Sequence, residues 1–453
     1  MAEPPADALV PALDEIDIFD PVLYGRSGPP HDVYARLRKE DPVHWQDEPP
    51  VLGWPAGPGY WAVMRHHDCQ EVLRRPQRFS SQLGATQIRD PHPRDLAFVR
   101  RMMLNLDPPE HSRLRTLVNK GFTRTNVRRL EQQIGARAEA LVDRVAGQGE
   151  ADFVTDVAAD MPLMSLAEVL GVPPSDRMLL YDWANRVIGY QDADYAVSDA
   201  FDPAAATPMA AAAHQHRVVP GSPRPDGRPY DPRSREALVD MFAYAHALAA
   251  WKREREGDDV MSVLLRAEHE GRGITPEEFE NLFFLFAVAG NETLRNGIPG
   301  GLYALLTHPD QHRKLLQDPS RLPTAVEEML RWWTPVIHFR RTAADDTTLG
   351  GKQLKRGDKV VVYFASANRD EQVFPDSDRF HIGRQPNDHL SFGLGPHFCL
   401  GAHLARLQMQ ALFRAALWRL PDLELAGEPE RLTSNFQQGF KHLPVRWTPA
   451  ATG

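Results

Sequence analysis

Near the end of this chain a thiol is set among glycines, in Phe392-Gly393-Leu394-Gly395-Pro396-His397-Phe398-Cys399-Leu400-Gly401. Gly393 and Gly395 permit a tight turn or a close backbone approach that a side chain would block. Cys399 then stands just before a helix-period run, Ala402 to Leu420, with Leu404, Ala405, Leu412, Ala416 and Leu417 among its apolar members. A sulfur at a helix N-terminus faces unpaired N–H groups and the positive end of the dipole. Both favour the thiolate, the form that ligates metals. Gly401 leaves room for a flat macrocycle against the helix. Upstream, Glu277 to Leu306 reads as a long apolar helix, yet Gly290, Asn291, Glu292 and Thr293 interrupt its middle. Glycine there costs ~1 kcal/mol, and a buried acid needs a partner. An acid beside an alcohol at such a break is equipped to move protons.

From Phe392 to Arg406 the sequence fits Phe-Gly-x-Gly-x-His-x-Cys-x-Gly at every specified position. It resembles the haem-binding loop of cytochromes P450, and the resemblance extends over almost the whole chain. The family's fold is mainly α with small β-sheets (α+β), the haem lying between a long distal helix and the Cys-loop with its proximal helix. The resemblance implies haem b, with Cys399 as the iron ligand, a thiolate that pushes electron density toward O–O cleavage. Phe392, Gly393, His397 and Gly401 then belong to the cofactor's loop, and Ala289 and Gly290 to the distal helix beside it. Glu292 would relay protons, and Thr293 would hold dioxygen or its water. His111 and Arg115, four apart on one helix face, would meet the haem propionates with Arg341 and His397, since buried carboxylates need cationic or hydrogen-bonding partners. Glu328-Met-Leu-Arg331 resembles the family's Glu-x-x-Arg pair, with Arg379 as the expected third member of a buried structural triad.

Positioning these groups falls to a mostly helical body. Helix-period patterns dominate from about Asn126 to Trp333, and strand-like runs lie at Tyr60–Met64 and Lys359–Phe364. No linker divides the chain, so residues 1–453 are expected to form a single domain. Pro299, flanked by Gly297, Gly300 and Gly301, cannot donate to the carbonyl of Arg295, which predicts a bend or early break in the distal helix. Residues 202–235 are rich in Ala, Pro, Gly and Arg and predict a mobile surface insert. By resemblance this insert falls where the family places the lid over its entrance.

Bulk properties narrow the field. The chain has 453 residues, 42% hydrophobic and 25% charged, with formal net charge -9, which disfavours a nucleic-acid partner. Two cysteines, Cys69 and Cys399, exclude a disulfide framework and an all-cysteine metal site. Zinc at His66-His67-x-Cys69 lacks a fourth close ligand. The acidic N-terminus is not a signal peptide, and no run approaches the ~18 apolar residues of a membrane span. A cytoplasmic monomer without a membrane anchor is expected.

With no flavin or nicotinamide domain after Gly453, the electrons are expected from a ferredoxin-type donor and its reductase. The stretch from His111 to Leu130 carries Arg113, Arg115, Lys120, Arg124, Arg128 and Arg129 and no acid, a basic asymmetry suited to such an acidic partner. The expected reaction inserts one atom of dioxygen into a C–H bond. Glu292-Thr293 argues against a haem–thiolate peroxygenase using hydrogen peroxide, and a non-catalytic haem sensor would not need that pair. Ala289–Asn296, Thr334–Arg341 and Ser434-Asn435-Phe436 resemble the actinobacterial P450s that oxidise sterol side chains and methyl-branched lipids. An elongated apolar substrate follows (a sterol, a terpenoid or a fatty chain), bordered by Val288, Val336, Ile337 and Phe436. His338, Gln437 and Gln438 offer polar contacts.

Overall fold

The computed structural model describes residues 12–122, 124–225, 227 and 230–449, with side chains omitted at 14 and 124–127. Its helices and strands come in the proportions the sequence implies. The elements used below are α1 (Glu110–Gly121), α2 (Arg124–Ala146), α3 (Asp160–Leu170), α4 (Arg177–Ile188), α5 (Val239–Arg253), α6 (Pro276–Leu306), α7 (Leu322–Trp333) and α8 (Ala402–Arg419). One five-stranded sheet contains β1 (Val43–Gln46), β2 (Tyr60–Val63), β3 (Phe79–Ser80), β4 (His338–Ala343) and β5 (Lys359–Tyr363), in the order β1-β2-β5-β4-β3. β5 runs parallel to β2 and antiparallel to β4, pairing Val361 with both Ala62 and Arg340. Smaller sheets of two or three strands lie apart from it.

The central helix α6 begins firmly. Pro276 occupies the first turn, and the Thr275 hydroxyl accepts from the Glu278 N–H (3.1 Å) while the Glu278 carboxylate accepts from the Thr275 N–H (2.9 Å). Such a capping box contributes about 1 kcal/mol. The expected bend or break at Pro299 does not end the helix, which continues to Leu306. Tertiary packing explains why. A Cβ on Gly300 would lie 2.2 Å from the Trp333 ring, and one on Gly301 would lie 3.0 Å from the Met329 sulfur and the Phe413 ring. The bare backbone lets α7 and α8 pack directly on α6, and that burial outweighs one lost hydrogen bond.

The 202–235 segment is not irregular throughout. It contains a helix, Pro208–His214, whose Ala210 and Ala213 are buried, and Phe201 just before it is buried too. Thr207 caps that helix and bonds Asp176, with its hydroxyl 2.7 Å from the carboxylate. Arg217 reaches Asp182 on α4 (2.7 Å), and Asp231 and Ser234 are buried. Alanine, counted as loop filler in the sequence, here supplies a small apolar face.

Glu328 and Arg331 form the expected pair, both fully buried and joined by two bonds of 2.8 Å. The third side chain is Arg384 rather than Arg379. Arg384 Nε lies 3.1 Å from Glu328 Oε2, whereas the Arg379 side chain is exposed and only its backbone carbonyl accepts from Arg331 and Arg384. Four residues of loop separate the two arginines, and the turn directs the later one inward. Removing one partner of a buried ion pair leaves an uncompensated charge and costs about 3 kcal/mol or more. Arg384→Met should therefore lose stability on that scale in a denaturant titration. Arg379→Ala should stay within about 0.5 kcal/mol, as ordinary surface changes do. The reverse order would return Arg379 to the triad.

Candidate active site

Cys399 is half-buried at the entry to α8, where its backbone N–H donates to the Phe392 carbonyl (2.9 Å) and closes the loop. Gly393 and Gly395 both adopt positive φ, 68° and 74°, as that closure requires. At Gly395 a Cβ would also sit 2.5 Å from the Leu73 carbonyl oxygen. Burial pushes the Cys399 thiol up. The N–H groups of Gly401 and Ala402 and the charges of Arg115 and Arg406 pull it back toward thiolate. A Cβ on Gly401 would come within 4.0 Å of the sulfur.

Four residues proposed from the sequence converge beside this thiol. The His111 and His397 rings lie 4.2 Å apart between centroids. Burial first, then neighbouring arginines, hold His111 at about 4 and His397 at about 2, so both are neutral near pH 7. Arg115 is close enough to act on Cys399, and Arg341 is buried with one bond to the Arg340 carbonyl (2.8 Å). Among the described residues no carboxylate lies within ion-pair distance of Arg115 or Arg341, and the buried Nδ1 of His111 has no partner. A buried and a half-buried guanidinium with no carboxylate in ion-pair contact, beside an orphaned ring nitrogen, fit an anionic ligand at this place, as the carboxylates of a haem would be.

Along α6 one face opens. Leu285, Phe286, Gly290 and Thr293 are half-buried and Ala289 is exposed, in a helix whose other central residues are buried. These positions recur at three and four residues and so share a face. Leu285, Phe286, Val336, Phe339, Phe392 and Leu400 border the same apolar core, which brings α6, β4 and the Cys loop around one space. Thr293 donates its hydroxyl to the Ala289 carbonyl (3.0 Å).

Glu292 points elsewhere. It is fully buried and accepts from Tyr195 (2.5 Å) and from Arg295 (3.3 Å), while Arg295 also bonds Asn185 (2.7 Å) and Tyr181 (2.6 Å). The tyrosine rings lie 4.4 and 4.5 Å from the guanidinium carbon. Sequence reasoning missed these partners. Only the i,i+3 spacing of Glu292 and Arg295 hinted at one of them.

Of the expected pocket residues, Val336 is half-buried, and Val288 and Phe436 are buried within the main core. Ile337 does not belong with them. It is fully buried in a separate cluster with Tyr34, Tyr60 and Tyr363 behind the sheet. The basic stretch is also less basic than its sequence. Arg113 pairs with Glu110 and Glu278, Arg129 with Asp258 and Glu168, Lys120 bonds the Glu268 carbonyl, and Arg115 serves the Cys loop. Arg128 is exposed, and the side chain of Arg124 lies outside the described residues. Apart from Glu110 at the edge of the stretch, the neutralising acids come from distant segments, invisible to a local charge count. Cys69 is buried and bonds the Val63 carbonyl. Among the described residues no cluster of three or more His, Cys, Asp or Glu could hold a metal ion, and no helix is long and apolar enough to cross a membrane.

The family model for cytochrome P450 matches residues 22–435 of this sequence. The chain belongs to the cytochrome P450 family. A steroid C26-monooxygenase of Rhodococcus jostii (strain RHA1) is 38% identical over 448 residues, covering 98% of this chain and 87% of that protein. A methyl-branched lipid omega-hydroxylase of Mycobacterium bovis (strain ATCC BAA-935 / AF2122/97) is 36% identical, covering 98% and 96%. The fold is similar to that of a Mycobacterium marinum cytochrome P450 in complex with pseudoionone, with TM-score 0.81 and 35% identity over 97% of this chain and 100% of that one. This P450 is accordingly a haem-dependent monooxygenase, an oxidoreductase that uses dioxygen and a redox partner.

His338 is buried on β4, and burial pulls it down to about 3 against an opposing contact with the Asn435 backbone. It therefore stays neutral in the native state while the unfolded chain takes up a proton below about 6.5. The unfolded state then binds more protons, so this residue makes stability fall as pH drops from 6.5 toward 3. In His338→Phe the acid limb of unfolding free energy against pH should lose up to about one proton of slope. An unchanged slope would refute the burial account.

Proposed function

We propose that this P450 holds haem b through Cys399 and hydroxylates an elongated apolar substrate, drawing electrons from a ferredoxin-type donor and its reductase. The observation that carries this reading is the convergence of Arg115, Arg341, His111 and His397 beside a thiol at a helix N-terminus, with no described carboxylate in ion-pair contact with either arginine. When bound, haem supplies the dioxygen and one-electron chemistry that side chains lack.

The protein's share is electrostatic and positional. Arg115 and the N–H groups of Gly401 and Ala402 stabilise negative charge on the Cys399 sulfur. The four-residue set offers charge and hydrogen bonds to the anionic edge of the macrocycle. Thr293, on the open face of α6, holds its hydroxyl at the Ala289 carbonyl and keeps an oxygen free to accept a proton donor. Glu292 is the nearest acid along that helix, and it can serve as a relay only by loosening its bonds to Tyr195 and Arg295. The exposed Phe398 ring, next to Cys399, and the exposed Arg128 suggest the face for the electron donor, in place of the whole basic stretch.

The substrate reading rests on the apolar border of Leu285, Phe286, Val336 and Phe339 and on relatives named for a steroid and for a methyl-branched lipid. Apolar burial contributes about 0.8 kcal/mol per CH₂, so affinity should rise with chain length. Titrating fatty acids, terpenoids and sterols against the Soret band of the holoenzyme tests this. Tight binding confined to small polar aromatics would overturn it. With a substrate found, and a surrogate ferredoxin and reductase supplied, Thr293→Ala should retain binding but divert most electrons to peroxide. Undiminished coupling would remove Thr293 from proton delivery, and a thiolate-type carbon monoxide band surviving in Cys399→Ala would remove the ligand assignment.

A further inference from the structure

Two guanidinium groups share one tyrosine in this molecule, and only one of them is neutralised. Arg233 lies 5.7 Å from the Tyr190 ring centre and is fully provided for. Its Nε and Nη2 each lie 3.1 Å from an oxygen of Asp231, and its Nη1 donates to Gln87 (2.5 Å). Arg89 lies over the same ring at 5.8 Å and over Trp54 at 4.1 Å. Among the described residues it makes no hydrogen bond or ion pair, and its Nη1 is enclosed without an acceptor. Burial, with the charge of Arg233, lowers Arg89 to about 10 against the opposing pull of Tyr190, Asp231 and Glu48, so it remains a cation near neutral pH, with neither carboxylate in direct contact.

An aromatic box satisfies the faces of a guanidinium and leaves its N–H edge unanswered. Arg89 is half-buried, so solvent answers that edge only in part. A planar anion that accepts two parallel N–H bonds matches it best, and a carboxylate is the commonest such group.

Location ties this edge to the substrate space. Ile88 is bonded through its carbonyl to Arg340 of β4 (3.1 Å), the strand that follows Val336 and carries Phe339. Tyr190 adjoins Gln191, whose side chain holds Ser434 (2.9 Å) and Asn435 (3.1 Å) in the turn that presents Phe436. Arg233 comes from the segment that packs over α4. Three strips of chain therefore meet at Arg89: residues 85–90, whose Ile88 packs in the cluster behind the sheet, Tyr190 beside the turn that presents Phe436, and the segment that carries Arg233.

We infer that Arg89 is a specificity-determining residue that binds the carboxylate of an amphipathic substrate, at the end remote from the carbon that is oxidised. The inference rests on the apolar-substrate reading above and refines it. The apolar border accepts the hydrocarbon, and Arg89 fixes which end enters last. Whether the hydrocarbon is a chain or a steroid is left to the experiment.

The test uses holoenzyme and two matched pairs, hexadecanoic acid with its methyl ester and cholanoic acid with its methyl ester, titrated at pH 7.5 by Soret shift. In the unsubstituted enzyme at least one acid should bind about 10- to 100-fold more tightly than its ester, the scale of a charge-assisted hydrogen-bonded pair. The pair that shows the preference identifies the scaffold. In Arg89→Met the acid-to-ester ratio should fall to near one, and Arg89→Lys should keep part of it. Each ratio is measured within one protein, so a partly misfolded variant does not distort it. Equal affinity for acid and ester at the start, or a ratio untouched by Arg89→Met, would overturn the inference while leaving the apolar-substrate reading intact. Binding of none of the four, alongside tight binding of small polar aromatics, would overturn both.

Discussion

Burying a carboxylate without solvent is the constraint on which the rest of this structure hangs. Glu328 is fully enclosed, and its oxygens take bonds from Arg331, from Arg384, from the His381 N–H and from Asn387. Arg331 spends its remaining donors on the carbonyls of Asn368, Ser377 and Arg379, and Arg384 on those of Pro375, Asp376 and Arg379. One acid thereby fixes the whole 366–384 meander against α7. Asn368 passes the constraint on. Its side chain bonds Thr334, Ser391 and the Leu390 N–H, and Ser391 bonds the Leu330 carbonyl. The next residue is Phe392, where the Cys loop begins. A second tie runs from Glu327 to Arg406 (2.6 and 2.8 Å), whose guanidinium lies 4.4 Å from the Phe392 ring centre. Burial pushes Glu327 up, yet Arg406 and His389 outweigh it and hold the carboxyl at about 2. The thiol is thus held by charges several residues away rather than by its own contacts.

The same physics explains what the sequence disclosed and what it withheld. The Cys loop was legible because its requirements are local. Two positive-φ glycines, a helix start and a thiol all fall within nine residues, and the folded loop uses each of them. His111, Arg115, Arg341 and His397 were placed by family resemblance, and their meeting requires three separate elements, α1, β4 and the Cys loop, to converge. Arg384 was missed because spacing cannot say which of two arginines a loop turns inward. The basic run from Arg113 to Arg129 was over-read because Glu278, Asp258 and Glu168 neutralise it from far along the chain. Ile337 was assigned to the pocket by family resemblance, whereas its side chain joins the tyrosines behind the sheet. Burial decided these cases, and burial is a property of the assembled fold.

Buried charge also shapes the roof of the molecule. On α4, Arg186 lies between Asp182 (3.0 Å) and Asp240 at the start of α5 (2.5 Å), and Trp183 donates to the same Asp240 (2.9 Å). Arg217, from the 202–235 segment, completes the set on Asp182. Breaking any one pair would strand a buried charge at a cost of about 3–5 kcal/mol, far more than solvent-exposed ion pairs resist. α4, α5 and the stretch around Arg217 therefore move as one body when they move at all. The seam with the 85–90 segment is built differently, from the Arg233–Gln87 bond and from stacking of Arg89 and Arg233 on Tyr190. Cation–π contacts at partly exposed sites contribute about 0.5–1 kcal/mol each, so this seam is the weaker boundary. A roof that opens will part there first, next to Arg89, whose enclosed Nη1 has no acceptor among the described residues. On the inference drawn for Arg89, entry of substrate and recognition of its polar end would then fall on the same few side chains.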